Sequence, residues 1–429
     1  MDNTKFQQMI DDFTLDQDQI REIAAAFRYD MDGGINDTGE SSLRMLKSYI
    51  QLPTGKEKGE YLALDFGGTN LRTALIRLDG KGGYEVLKKV AKPLTVPGEY
   101  DFVGADACAD ELFDFIAAMI DETIEGDRSR TFLLGHTFSF PSEQTDIYNA
   151  RLIIWTKEFA TKGVEGEVVN DLLKAALARR GITNVIPNSV INDTVAVLLA
   201  AAYEFGSTQI GSIYATGHNT CYFENYASLG KGEPPMIINM ESGGFNKLAI
   251  NKYDYALDQE SEKPFEQRLE KMVSGRYMGE LLGRCLADAW GIDKVPFTSI
   301  DISAILSDNS DALVEVCRLL RAKTGLAIET DDAVWVKALA ETIAARSARA
   351  VTATYCGIMW HIYPHGGMPK QNIAVDGSVF EKMPTIRENM QKAIYEIMED
   401  DADKLQLVLE NGGSLLGAAL AAAMNPIEG

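Results

Sequence analysis

Two short turns in this chain carry the residue types that hold phosphate. In LALDFGGTN (62–70) an apolar run ends at Asp65 and Phe66, and Gly67, Gly68, Thr69 and Asn70 follow. Glycines at a hairpin let backbone N–H groups approach an anion, and the Thr and Asn side chains add donors. Asp65, at the end of the run, is placed to meet a nucleotide's Mg²⁺ through water. Read alone, the same residues also make a plain β-hairpin. They are neither a Walker A loop nor a dinucleotide fingerprint, because no helix follows the glycines. A second strand–turn–strand, QIGSIYATGHNTCYFENY (209–226), repeats the plan with Ala215, Thr216 and Gly217 in its turn.

A different chemistry is suggested by HTFSFPSEQTDIYNARLIIWTKEF (136–159). Ser139, Thr156 and Lys157 are polar residues set among Phe138, Phe140, Ile153, Ile154 and Trp155. Buried polar groups need partners, and a polyhydroxyl ligand would supply them, as would ordinary core hydrogen bonds. In VINDTVAVL, Asn192 and Asp193 stand where an apolar strand runs out and a helix begins. That place suits either an N-cap or a carboxylate at the carboxyl edge of an α/β sheet, where such folds bind ligands. Further polar candidates are Asn219 after the second turn, Glu241 after the run MIINM, and Gln267 and Glu270 in a helical stretch. The bland reading of Glu270 is a solvated helix face. The four histidines (136, 218, 361, 365) have no metal-ligand spacing, and no metal site is assigned.

Composition narrows the partners. With 41 Lys and Arg against 63 Asp and Glu, the 429-residue chain has a net charge of −22. Nonspecific binding to nucleic acid or anionic membrane needs basic patches, so neither is expected. Five cysteines without a CxxC pair read as free thiols in a reducing cytoplasm. The acidic start MDNTKFQQMIDDF has no apolar signal region, and no apolar run reaches about 18 residues. A cytoplasmic protein is expected.

The elements that must position these residues alternate between strand and helix. Thr14 and Gln17 read as a capping box opening a first helix, with Ile20, Ile23, Ala24, Phe27 and Met31 on its apolar face and Gly33-Gly34 as its stop. Leu43, Leu46 and Ile50 form a shorter periodic stretch, and PTGKEKGE (53–60) reads as a hinge. Beyond the first hairpin come a helix at 106–124, a strand at 131–135, and a helix from about Val164 to Arg180. The strand SVIND and the helix TVAVLLAAAYE follow, then the second hairpin, a mostly helical region over about 265–360, the strand NIAVDGS and a terminal GGSLLGAALAAAM turn–helix. The two similar hairpins suggest an internal duplication of α/β units.

Taken together, these segments resemble the hexokinase family of sugar kinases, within the actin-like ATPase superfamily. The matching parts run in order: PTGKEKGEYLALDFGGTNLR, TFSFP…WTK, INDT, TGxN, NMESGGF, EKMVSGRYMGE, VDGSV and the final GAAL. The resemblance implies an α/β fold of the duplicated ribonuclease H-like type, in two domains with a cleft between them. The larger would hold residues 1–58 and 194–412, the smaller 59–193 and 413–429. It also implies ATP-dependent transfer of a phosphoryl group to the 6-hydroxyl of a hexose, glucose first among them, with Mg²⁺ carried on the nucleotide.

Carried over by position, the sugar would meet Ser139, Phe140, Thr156, Lys157, Asn192, Asp193, Asn219, Glu241, Gln267 and Glu270. Asp193 would be the general base, with Lys157 beside it in the catalytic group. Phosphate binding maps to Asp65, Gly67, Gly68, Thr69, Asn70, Arg72, Thr216, Gly217 and Arg276. Gly377 and Ser378 fall on the adenosine side, and Gly413 in the terminal glycine motif. The chain departs from the family pattern at His136, Tyr148, Ala215 and Ser242, and at Leu415-Leu416, where a glycine and a basic residue are usual. Those leucines either line the base pocket or pack the last helix inward.

Two other functions stay in view. A sugar sensor without turnover would have no need of Asp193 or of the phosphate hairpins. A glycerol kinase or actin-like ATPase of the same superfold would lack the TFSFP…WTK pairing. The sequence leaves open the order of preference among hexoses, and whether the chain is a monomer or a homodimer.

Overall fold

The computed structural model describes residues 3–36, 39–156, 159–225 and 233–426. The chain divides into two compact units. Unit 1 holds residues 1–45, 212–220 and 240–409, and unit 2 holds 46–211, 221–239 and 410–429.

Two sheets repeat one plan. In the first, strands Lys58–Phe66, Asn70–Asp79 and Tyr84–Pro93 form an antiparallel meander, and Phe132–Phe138 then Val185–Ile191 are added in parallel beside its first strand. The second has the succession Met236–Asn239, His218–Glu224, Thr208–Tyr214, Gln371–Asp376, Leu405–Leu409, with Leu46–Lys47 on its outer edge. Numbered along the chain, both read 3-2-1-4-5, which is the duplication expected from the hairpins.

Within unit 2 the sheet is covered on both faces, and side-chain alternation shows how. Leu62, Leu64 and Phe66 point into one core with helices Ala109–Thr123 and Val169–Arg179, while Ala63 joins the other with helices Asp193–Phe205 and Gly413–Met424. The second face is lined with small residues because helix and strand come very close. A Cβ on Gly135 would collide with Ala418 O, and one on Gly417 with Ala196. Helix Asp193–Phe205 therefore belongs with the terminal helix in unit 2, which differs from the expected larger domain that takes in 194–211. The first boundary also falls at 45/46, ahead of the expected hinge.

Unit 1 is built on the 33-residue helix Thr330–Ile362, most of whose second half is buried. Gly357 lets helix Gln17–Ile35 lie against it, since a Cβ there would sit 2.6 Å from Ala24 O. The N-terminal helix starts differ from the sequence reading. The capping box is Asp16 with Gln19: the Asp16 side chain accepts from the Gln19 N–H at 2.9 Å and Gln19 accepts from the Asp16 N–H at 2.8 Å. Thr14 instead closes an earlier helix, Asn3–Phe13, by donating its hydroxyl to Ile10 O.

Gly33 and Gly34 lie inside their helix rather than ending it, and Gly34 makes room for the Met45 side chain. The Leu43–Ile50 stretch is no helix, because Met45 and Tyr49 both take left-handed backbone (φ 49° and 57°). The helix expected from Val164 begins at Val169, after a turn at Gly166.

Candidate active site

In unit 2 the first hairpin joins Asp65 and Arg72 directly across the ladder, and Arg72 Nη1 donates to Asp65 Oδ2 at 2.9 Å. Asp65 is buried and Arg72 exposed, so the cation covers the carboxylate from the solvent side. Thr69 and Asn70 are exposed at the turn, and Asn70 Nδ2 donates to Thr69 Oγ. A Cβ on Gly67 would find only Asn70 O, at 3.6 Å, so the glycine leaves an open flank through which an anion can approach the backbone.

The segment around Ser139 is held by rings. Phe66, Phe138, Phe140, Trp155 and Phe159 form a connected aromatic cluster with centroid separations of 4.7–6.3 Å. Trp155 is further fixed by its indole N–H to Thr161 O at 2.9 Å and its backbone N–H to Glu165 at 2.8 Å. Ser139 and Thr156, both half-buried, follow or precede members of this cluster in the chain, so its rigidity sets their positions. Ile153 and Ile154 are about half exposed, against the reading of an apolar setting for this segment. Lys157 lies outside the described residues.

His136 belongs to the same cluster. It is fully buried, stacks on Phe66 and leaves both ring nitrogens without a hydrogen bond. Burial pushes its pKa down to about 3, against a smaller upward influence from the Asn170 side chain. Asn170 does not reach hydrogen-bond geometry with the ring, and its own Oδ1 is also unpaired. His136 is therefore a neutral, aromatic packing residue at neutral pH.

At the end of strand Val185–Ile191, Asn192 takes the capping role and Asp193 does not. The Asn192 carbonyl oxygen accepts from the Thr194 N–H at 2.9 Å and the Thr194 hydroxyl at 2.8 Å. Asp193 is the first helical residue and half-buried, and its Oδ1 accepts from the Thr194 N–H at 2.8 Å. Just below, the Cys221 thiol donates to Thr194 O, and burial pushes its pKa up, so it stays a thiol.

Unit 1 gathers a second group of the expected residues. Asn219 Oδ1 accepts from the Thr220 N–H at 2.7 Å and the Ser242 N–H at 3.1 Å, which turns its amide nitrogen toward Glu241 Oε1 at 3.5 Å. Glu241 and Gln267 both have left-handed backbone, with φ 52° and 53°. Strain of this kind at non-glycine residues gathers at ligand sites and costs about 1–3 kcal/mol each. Gly243 lets the Gln267 side chain lie over the Ser242–Gly244 turn, since a Cβ would sit 2.5 Å from Gln267 Oε1. Glu270 reaches the second hairpin, accepting the His218 N–H at 3.1 Å.

That hairpin is braced from behind. The Gly275 N–H donates to Ala215 O at 2.8 Å, and the Arg276 N–H donates to Thr216 O at 3.1 Å, so helix Gly275–Trp290 begins directly on the turn. Gly377, at φ 130°, passes so close to Tyr214 O that a Cβ would collide with it. Tyr214 is buried and shares a hydrogen bond with Ser347 on the long helix. Thr216, Arg276 and Ser378 remain exposed. Arg276 pairs with Glu262 at 3.2 Å.

His218 and Gly275 were not singled out from sequence. Both lie inside motifs that were read, and the missing signal was the backbone contact each makes. Leu415 and Leu416 are core residues in unit 2, so the reading in which they line a base pocket falls away.

Comparison with known proteins bears on what this arrangement does. A family model described as hexokinase matches residues 5–203, and a second of the same description matches 209–424. Hexokinase-1 of Schizosaccharomyces pombe is 32% identical over 96% of this chain and 89% of its own length. Hexokinase-1 of Oryza sativa is 35% identical over 94% and 87%. Among solved structures, a crystal structure of a hexokinase superposes with a TM-score of 0.88 at 28% identity, covering 98% of this chain and 99% of that one. A hexokinase from Schistosoma mansoni complexed with glucose gives 0.81 at 29% identity, covering 99% of each.

Proposed function

Because the chain belongs to the hexokinase family and is an ATP-dependent hexose kinase, we propose that Asp193 is its general base and glucose its preferred sugar. The observation that carries the assignment is local. Asn192 caps the helix and leaves Asp193 as a carboxylate at the sheet's carboxyl edge, held at one oxygen by the Thr194 N–H.

An alcohol is a poor nucleophile at neutral pH. As the sugar's O6 bonds to the γ-phosphorus and the bond to the ADP oxygen breaks, the hydroxyl proton passes to Asp193, a contribution of about 10²–10⁴-fold. Ser139, Phe140, Thr156, Lys157, Asn192, Asn219, Glu241, Gln267 and Glu270 would hold the sugar. The carboxylates accept its hydroxyls in charge-assisted bonds, which leaves a sugar lacking them facing unpaired acceptors. The hairpin amides, Arg72 and Arg276 would hold phosphate, and Gly377, Ser378 and Gly413 the nucleoside end.

The residues also suit Mg²⁺ carried on ATP. Asp65 is a hard oxygen donor at the strand end beside the open turn, placed to hold a metal-bound water. The metal supplies neutralisation of phosphate charge.

The sugar residues assigned by resemblance fall on both units of the chain, so a sugar held by all of them favours a closed state and excludes water from the phosphoryl group. Small-angle scattering with saturating glucose should show a smaller radius of gyration; an unchanged radius would count against closure. Among the described residues no helix is long and apolar enough to cross a membrane. The five free cysteines suit a reducing, cytoplasmic setting. A coupled assay of ADP release across glucose, mannose, fructose and glucosamine tests the whole reading. Glucose should give the highest kcat/KM, and absence of turnover with every hexose would overturn it.

A further inference from the structure

Glu270 has two sides, and only one is explained by a sugar. Its Oε2 accepts the His218 N–H at 3.1 Å, in the turn of the second phosphate hairpin. The same oxygen lies against the flank of Gly217: a Cβ there would sit 3.0 Å from Oε2, with Cδ next at 3.9 Å and nothing else within 4 Å. Gly217 has no positive φ that would demand glycine. What its missing side chain provides is the close approach of this carboxylate. The turn is also fixed at Ala215 O and Thr216 O by the Gly275 and Arg276 N–H groups. The hairpin is thus held by a helix start and by one carboxylate.

We propose that Glu270 is a positioning residue for the phosphate hairpin as well as a sugar ligand, so that sugar and nucleotide each strengthen the other's binding through it. This rests on the sugar assignment of Glu270 made above. A carboxylate has about four lone-pair sites, so one group can accept both a sugar hydroxyl and the His218 N–H. When the hydroxyl is in place the carboxylate is confined to one orientation, and the turn that leans on it is confined with it. A turn already ordered binds phosphate at lower entropic cost, and an ordered phosphate returns the favour to the sugar. By linkage the two factors are equal.

Titration calorimetry on the full chain reads this directly. Glucose is titrated with and without saturating Mg²⁺ and a non-hydrolysable ATP analogue, and the analogue with and without saturating glucose. The native chain should show one coupling factor from both directions, within the usual range of about 5–150-fold. In G217A the methyl pushes on Oε2, and the factor should fall by at least about threefold toward one. In E270Q a single amide oxygen cannot serve sugar and His218 N–H as two carboxylate oxygens do, and the factor should fall as far, with weaker sugar binding besides.

A methyl that merely obstructs phosphate would weaken the analogue equally with and without sugar and leave the factor intact. A bond that merely stabilises the loop would lower the melting temperature and leave it intact too. Either outcome overturns the proposal, as does a native factor of one. A native chain that binds no glucose overturns the sugar assignment itself, and the coupling with it.

Discussion

The two hairpins have nearly the same plan in sequence and opposite surroundings in space. Around the first, a side chain at Gly67 would meet only Asn70 O, and the hairpin is tied down away from that glycine, by the Leu94 N–H donating to Thr69 O at 2.9 Å and by the Asp65–Arg72 pair. Around the second, Gly217, Gly275 and Gly377 each admit an oxygen or a backbone that a side chain would exclude. Glycine in the first hairpin keeps a surface open. In the second it lets the scaffold close in. A turn that must wait for a nucleotide and a turn that must report on a sugar need different stiffness, and the same small residues provide both.

The largest test separates holding phosphate from moving the proton. Asp193→Ala touches neither hairpin and should lower kcat by about 10²–10⁴-fold while glucose affinity changes only a few-fold. Steady-state kinetics with calorimetry measures both. Retention of more than a tenth of kcat would remove Asp193 from the role of base.

The surroundings of the hairpins are compared by adding one methyl within the first and one against the second. Gly377→Ala must adopt φ 130° and meet Tyr214 O, so it should destabilise unit 1 by about 2–4 kcal/mol. Gly67→Ala meets only open space, so it should change stability by no more than about 0.5 kcal/mol and instead weaken nucleotide binding. Urea unfolding followed by hydrogen exchange, which reads each unit separately, checks the contrast. Equal losses would mean that the first turn is as tightly backed as the second.

The smallest effect compares two of the buried histidines, one from each unit. Burial holds His136 at about 3 and His218 at about 4, against 6.5 when exposed. An unfolded chain takes up those protons near pH 6.5 and the folded one does not. Each unit is therefore at full strength above pH 6.5 and loses stability as pH falls toward the folded value. His136→Phe removes two unpaired nitrogens from an aromatic cluster, so it should stabilise unit 2 by about 1 kcal/mol at pH 7 and flatten its acid loss. Unit 1 should keep its own acid loss through His218. Chemical denaturation between pH 7 and pH 4 distinguishes the two.

The hairpins, the strand before Asp193 and the helices near both were legible because each rests on local patterning: alternation, glycine turns, helical spacing. The exact site of a cap was less so. Thr14-x-x-Gln17 and Asp16-x-x-Gln19 overlap, and only the helix ending at Phe13, whose last carbonyls claim the Thr14 hydroxyl, decides between them. The left-handed backbone at Glu241 and Gln267 has no local signature either, since neither residue favours it and tertiary packing imposes it. The fate of Leu415 and Leu416 depended on which face of the last helix meets the sheet, and a helix so rich in small apolar residues hardly distinguishes its faces. Residue-by-residue resemblance assigned the candidate site residues, while the contacts that brace the second hairpin became visible only in three dimensions.

The terminal helix has a consequence for how the protein is made. It shares one face of the unit 2 sheet with helix Asp193–Phe205, and Gly135 and Gly417 admit its close approach to strand and helix. The strands it covers leave the ribosome more than two hundred residues earlier. At about 5–20 residues per second, that face has only helix Asp193–Phe205 to cover it for roughly 10 to 45 seconds, until Gly413–Met424 arrives. Throughout that interval the nascent chain presents an apolar surface of alanine and leucine to the cell. A release of the chain before the last helix would leave unit 2 with an incomplete second core, and chaperone occupancy during synthesis should persist until that helix emerges.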